Sequence, residues 1–178
     1  MSEPRRREVV PGIFIDGTLN KVCLYPEVND DTAVIHAAKD PCHRRRLGYT
    51  TRGAPKGHPH EHLLREGRHL ILNMVDAPEP RYFLPLMFHQ ARDFAAEHRA
   101  QGRALIIHCN EGRSRSTSLA LVILATSGAL PSVSYAEARA AYTALDPLYA
   151  PNDGVRLFLE THWAEVCGVY DVDSAVTT

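Results

Sequence analysis

The sequence predicts an α/β fold, a central and mainly parallel sheet of four to five strands flanked by helices. Three observations predict it. Short apolar runs rich in branched residues recur along the chain, each closed by a turn or a polar stretch. The last two runs are separated by a segment of helical period, an order of strand, helix, strand whose expected outcome is parallel pairing. The length of 178 residues suits one domain with a sizeable core and is short for two.

The ends, residues 1–9 and 170–178, are polar and loosely patterned and read as tails, which leaves residues 10–169 as the single domain. Strands are expected at residues 13–15, 33–36, 70–75 and 104–108. Between the last two, Leu84, Met87, Phe88, Ala91 and Ala95 fall at helical spacing, and Gly102 stops that helix. Residues 116–127 are helical and apolar nearly all round, the pattern of a buried helix. Ser134 with Glu137 forms a capping box for a further helix, and Asn152 caps a last one carrying Val155, Phe158, Leu159 and Val166.

Composition narrows the function. With 44% hydrophobic residues, 23% charged residues and a net charge of -1, the chain is neither disordered nor built to coat nucleic acid. No apolar run approaches the roughly 20 residues that span a bilayer, and the arginine-rich residues 1–11 hold no apolar signal core, so no membrane partner and a cytoplasmic address are expected. Cys23, Cys42, Cys109 and Cys167 are scattered without a Cys-x-x-Cys pair, which suggests neither a zinc knuckle nor a redox dithiol; they read as reduced thiols. His58, His60, His62 and His69 fit no ligand spacing and read as solvated surface groups.

The chemistry concentrates in residues 104–121, ALIIHCNEGRSRSTSLAL: a buried strand, a polar turn containing a glycine, then an apolar helix. Successive backbone N–H groups of such a turn converge on one point. The helix adds its positive dipole end and Arg115 a fork matching two phosphate oxygens, so the turn is an anion cradle over Cys109. The same helix end and arginine lower a thiol's pKa, so binding and activation of the nucleophile share one cause. The glycine-rich ATP loop is excluded, because no lysine lies in the turn.

His108, Cys109, Gly112, Arg115 and Ser116 resemble the His-Cys-x-x-Gly-x-x-Arg-Ser signature of the dual-specificity branch of the cysteine phosphatases. Asp76, 33 positions before Cys109 and just after a strand, stands where that family places its general acid, and Pro151-Asn152 resembles its start of the last helix. The resemblance implies a cysteine-phosphatase-like fold and phosphomonoester hydrolysis through a phosphocysteine, with no cofactor and no metal. Cys109 would be the nucleophile, Asp76 the acid and then base, and Ser116 the group stabilising the departing thiolate. Asn110, Glu111, Gly112, Arg113, Ser114 and Arg115 would hold the phosphate, with His108 and Asn152 in support.

Two departures bear on the substrate. Glu111 puts a carboxylate in the cradle, which opposes polyphosphorylated lipids unless it points outward; Arg113 pulls the other way. Residues 44–60 carry Arg44, Arg45, Arg46, Arg52 and Lys56 and no acid, and read as a surface loop that is either a solvated link or a recognition element for acidic substrates. The expected partner is a phosphorylated protein, with nucleotide, RNA 5′ or lipid phosphates, or a module that captures phosphate without hydrolysis, as alternatives. Asp40, before Pro41 and after another strand, competes with Asp76 for the acid's role, and Cys42 is a candidate to pair with an oxidised Cys109.

Overall fold

The computed structural model describes residues 6–17, 23 and 29–168. In chain order, β1 (Arg7–Val10) and β2 (Ile13–Asp16) form a hairpin, and β3 (Thr32–Ala37) runs into a wide helical turn at Lys39–His43 and the short helix α1 (Arg44–Leu47). Then come β4 (Leu63–Glu66), β5 (His69–Leu72), α2 (Pro85–Ala100), β6 (Ala104–His108), α3 (Arg115–Thr126), α4 (Tyr135–Leu145) and α5 (Asp153–Cys167).

One sheet takes the order β1-β2-β6-β3-β5-β4. Its four middle strands are parallel, and they are the four runs that the sequence marks. Two short antiparallel strands, β1 and β4, extend the edges beyond the expected four to five strands. Neither is announced by the sequence: each is four residues long and half polar, since an edge strand buries little and keeps charged side chains in water. β1 begins at Arg7, inside the segment expected as a tail.

Alternation along the parallel strands divides the sheet's two faces. Ile13, Ile15, Ile35, Leu70, Leu72, Leu105 and Ile107 join the main core under α2 to α5, whereas Val34, Ile106 and Ile71 lie on the opposite face. α3 is central: every residue from Arg115 to Ala125 is buried, the outcome of a helix that is apolar nearly all round. The two caps form as the sequence predicts, with Ser134 Oγ accepting from the Glu137 N–H and Asn152 Oδ1 from the Asp153 N–H. Because the middle strands are parallel and feed helices at their carboxyl ends, the loops after β3, β5 and β6 meet at one edge of the sheet, where polar groups gather.

Candidate active site

The turn between β6 and α3 places Cys109 at its floor, 1% exposed. Its Sγ takes the Gly112 N–H at 3.3 Å and lies 3.2 Å from Ser116 Oγ. Burial works to raise the thiol's pKa. The Arg115 guanidinium, the Ser116 hydroxyl and the backbone N–H groups of Ser116 and Glu111 outweigh burial and hold it below its ordinary value.

Arg115 is buried beneath the turn, where Nη1 donates to the Met74 carbonyl and Nη2 to Asn110 Oδ1, both at 3.0 Å. Its Nε makes no hydrogen bond among the described residues; the Asp76 carboxylate stands 4.0 Å away. The turn's shape requires a glycine at position 112, which has φ +68°, and a Cβ there would come 3.1 Å from the Gly17 nitrogen. Glu111 and Arg113 are exposed, so the acid inside the turn stays in water rather than over Cys109.

Asp76 follows β5 and reaches the same edge. Ser114 Oγ donates to Asp76 Oδ1 at 2.9 Å and accepts the Asn152 N–H at 3.0 Å, while Asn152 Nδ2 donates to the Asp76 carbonyl at 3.2 Å. Asp40, its competitor, is engaged elsewhere, paired with Lys39 at 3.1 Å and with Arg44. Among the sequence-marked residues, the structure therefore gathers Asp76, Cys109, Asn110, Gly112, Ser114, Arg115, Ser116 and Asn152, and turns Glu111 and Arg113 outward.

Several residues that fix this geometry escaped sequence reasoning. Arg7 Nη2 donates to the Gly112 carbonyl at 2.7 Å and, with Nε, grips the buried Asp146 carboxylate. Gly17 faces the turn so closely that a Cβ would fall 2.6 Å from the Glu111 oxygen, and the Ala150 N–H donates to the Arg113 carbonyl at 2.9 Å. No local signal marks these positions, since each acts across a large separation in the chain.

The cysteines require a correction. Cys23 and Cys42, read from their spacing as separate reduced thiols, are joined as a disulfide with Cα atoms 5.2 Å apart, an arrangement that occupies Cys42, the candidate partner of an oxidised Cys109. Their sulfurs lie 3.7 Å and 3.9 Å from Nε2 of His108, whose neighbour in register on β3 is His36. Spacing cannot reveal such a group, because its members come from separate strands and turns. Burial disfavours the charged forms: His36 titrates well below the ordinary histidine range and His108 is pushed down to about 4.

The basic segment 44–60 is tied down by hydrogen bonds while most of residues 50–60 stay exposed. His43 ties it to Tyr49 Oη (3.1 Å) and the His60 carbonyl (2.8 Å), and Arg44 bonds the carbonyls of Thr51 and Arg52. It brings Arg52 and Lys56, with Lys39 and Arg81, to a hollow of about 780 Å³ that also takes in Val75 and Ala77 on either side of Asp76. Among the described residues, no helix is long and apolar enough to cross a membrane.

No protein-family model and no curated protein matches the sequence. Solved structures do match. Human DUSP28 shares 17% identity over 90% of this chain and 94% of its own, with a TM-score of 0.59. PTPMT1, solved in complex with PI(5)P, shares 15% over 93% and 99%, with a TM-score of 0.62. A leucine rich repeat and phosphatase domain containing protein from Entamoeba histolytica shares 14% over 94% and 96%, with a TM-score of 0.62. At these identities it is the arrangement of strands and helices that is shared, and the chain has the fold of the dual-specificity phosphatases.

Proposed function

We propose that the protein is a phosphatase that hydrolyses phosphomonoesters through a phosphocysteine on Cys109. One observation carries the reading: a thiol held below its ordinary pKa lies at the floor of a turn whose N–H groups converge on it, and the turn closes on the buried Arg115. In the first step the Cys109 thiolate attacks phosphorus in line, the bond to the ester oxygen breaks, and that oxygen leaves as an alcohol with the proton of Asp76. The turn's N–H groups and the Arg115 Nε, which has no hydrogen bond among the described residues, bind the equatorial oxygens. In the second step the Asp76 carboxylate takes a proton from water, whose oxygen attacks phosphorus. The P–S bond breaks and the sulfur leaves as a thiolate that accepts the Ser116 hydroxyl. Asn110, Glu111, Gly112, Arg113 and Ser114 contribute backbone to the cradle, His108 supports its first residue, and Asn152 positions Asp76.

The substrate is a phosphoprotein segment rich in acids. The hollow beside Asp76 is lined by Lys39, Arg52, Lys56 and Arg81 with Glu61 and Glu79; Lys39 is paired with Asp40 and Arg81 with Glu79, so Arg52 and Lys56 carry its attraction for acids. The test is turnover of an aryl phosphate, phosphopeptides, nucleotides and a phosphoinositide by wild type, Cys109→Ser and Asp76→Asn, with chelator added at the start of each assay. Cys109→Ser abolishes turnover and Asp76→Asn lowers it by about 10²-fold, with acidic phosphopeptides preferred and initial rates unchanged by chelator. Turnover that survives Cys109→Ser would refute the mechanism. Faster hydrolysis of the phosphoinositide or of nucleotides would overturn the substrate class.

A further inference from the structure

Behind the catalytic turn, on the far side of β6 from the main core, Cys23, His36, Cys42 and His108 converge. One ligand atom from each lies within 4.8 Å of all the others, and all four side chains are buried. His108 Nε2 faces three of these atoms at once, His36 Nδ1 at 2.8 Å and the sulfurs of Cys23 and Cys42 at 3.7 Å and 3.9 Å. In a tetrahedral zinc site with Zn–S of about 2.3 Å and Zn–N of about 2.0 Å, a nitrogen and a sulfur stand roughly 3.6 Å apart, which the two nitrogen–sulfur distances approach.

A disulfide accounts for the two sulfurs, and the imidazoles hydrogen-bond in a row, His108 Nε2 with His36 Nδ1 at 2.8 Å and His36 Nε2 with His69 Nδ1 at 3.0 Å. Two buried rings point nitrogen at nitrogen, beside sulfur, at the edge of an apolar cluster of Ala38, Leu64 and Ile71. We infer that Cys23, His36, Cys42 and His108 form a structural zinc site that is filled when the two thiols are reduced. A dithiol reductant supplies two electrons to the Cys23–Cys42 bond and is itself oxidised to a disulfide. The thiols then release two protons to solvent, and the thiolates and two neutral imidazoles take Zn²⁺. The complex is uncharged, so its burial avoids the cost of an isolated ion.

The surroundings fit this coordination. His36 Nε2 lies 3.0 Å from His69 Nδ1, the outer hydrogen bond that fixes a ligand imidazole's tautomer and leaves His36 Nδ1 to face the metal. His108 would coordinate through Nε2 with its hydrogen on the buried Nδ1, for which the described residues offer no hydrogen-bond partner. The donor set of two thiolates and two imidazoles selects zinc over hard cations, and with four protein ligands the site has no open position for catalysis. It fastens the ends of β3 and β6 to the turn Lys39–His43 and to Cys23, and so fixes the residue that precedes Cys109.

The test measures metal in the full chain purified with a dithiol reductant and dialysed against buffered Zn²⁺. Wild type and Cys109→Ser should hold about one zinc per chain, and Cys23→Ser, Cys42→Ser and His36→Gln less than about a tenth of that, with a cobalt–thiolate absorption band appearing on Co²⁺ substitution only in the first two. If a variant fails to fold, wild type alone decides: Zn²⁺ should protect Cys23 and Cys42 from alkylation as mapped by mass spectrometry. Reduced protein that takes up no zinc, or equal alkylation of both cysteines with and without it, overturns the site. Neither readout depends on phosphatase activity.

Discussion

Arg7 holds the carbonyl of Gly112 at 2.7 Å, so a residue of the edge strand β1 fixes the backbone of the turn over Cys109 from 105 positions away. The same guanidinium is clamped by Asp146, whose carboxylate is 2% exposed and is approached also by the Tyr142 hydroxyl at 3.4 Å. Removing the cation leaves Asp146 buried without its charge partner and frees the Gly112 carbonyl. Arg7→Ala should therefore cost about 3 kcal/mol of stability and lower turnover of an aryl phosphate as well. Arg7→Lys should recover part of the stability and little of the turnover, because a single ammonium cannot bridge both acceptors. Chemical denaturation beside steady-state kinetics checks both; an unchanged midpoint for Arg7→Ala would show the clamp to be idle.

Ser116 Oγ stands 3.2 Å from Cys109 Sγ and helps to hold the thiol below its ordinary value. A lowered thiol pKa keeps the thiolate populated to more acidic pH, so the rate of alkylation by a small reagent persists as pH falls. Ser116→Ala removes one stabilising hydrogen bond, and the alkylation midpoint should move upward. In turnover, the second step should slow more than the first and a burst of released alcohol should appear. A midpoint that stays in place would remove the hydroxyl from the account.

Gly154, the second residue of α5, lies against the loop that follows Asp76. A Cβ there would meet the Ala77 oxygen at 2.1 Å and the Glu79 oxygen at 2.9 Å. Gly154→Ala should push that loop outward, at about 1–3 kcal/mol of stability. It should reduce turnover most for esters with poor leaving groups, which depend on the acid, and least for activated aryl esters. A uniform loss across leaving groups would point to general misfolding instead.

Arg52 and Lys56 are exposed on the basic segment beside the hollow. Arg52→Ala with Lys56→Ala should raise KM for acidic phosphopeptides several-fold at low salt and hardly at high salt, while leaving kcat and the hydrolysis of small aryl phosphates alone, since exposed charges act through screened attraction. An equal KM for acidic and neutral peptides in wild type would argue against recognition by this surface.

What could be read in advance follows the reach of each interaction. Cys109, Gly112 and Arg115 lie within one strand, turn and helix, so their spacing reports their geometry, and Ser134 and Asn152 cap helices that start at the next residue. Asp76 was placed by resemblance, and its contact with Ser114 needed the structure. Arg7, Gly17 and the group of Cys23, His36, Cys42 and His108 were invisible for the same reason: each is assembled from strands whose order in the sheet is not their order in the chain. The edge strands were missed because four half-polar residues carry too short an alternation to stand out.

The anchors of the turn over Cys109 also set when it can form. Its carbonyls at Gly112 and Arg113 are bonded by Arg7 and Ala150, and Arg7 in turn needs Asp146, 139 positions along the chain. Such closures are the slowest to assemble, because their loop entropy must be met before any contact offsets it. A refolding chain should therefore acquire helix and sheet signals before the turn is shaped, and the recovery of oxyanion affinity should be the last kinetic phase to appear.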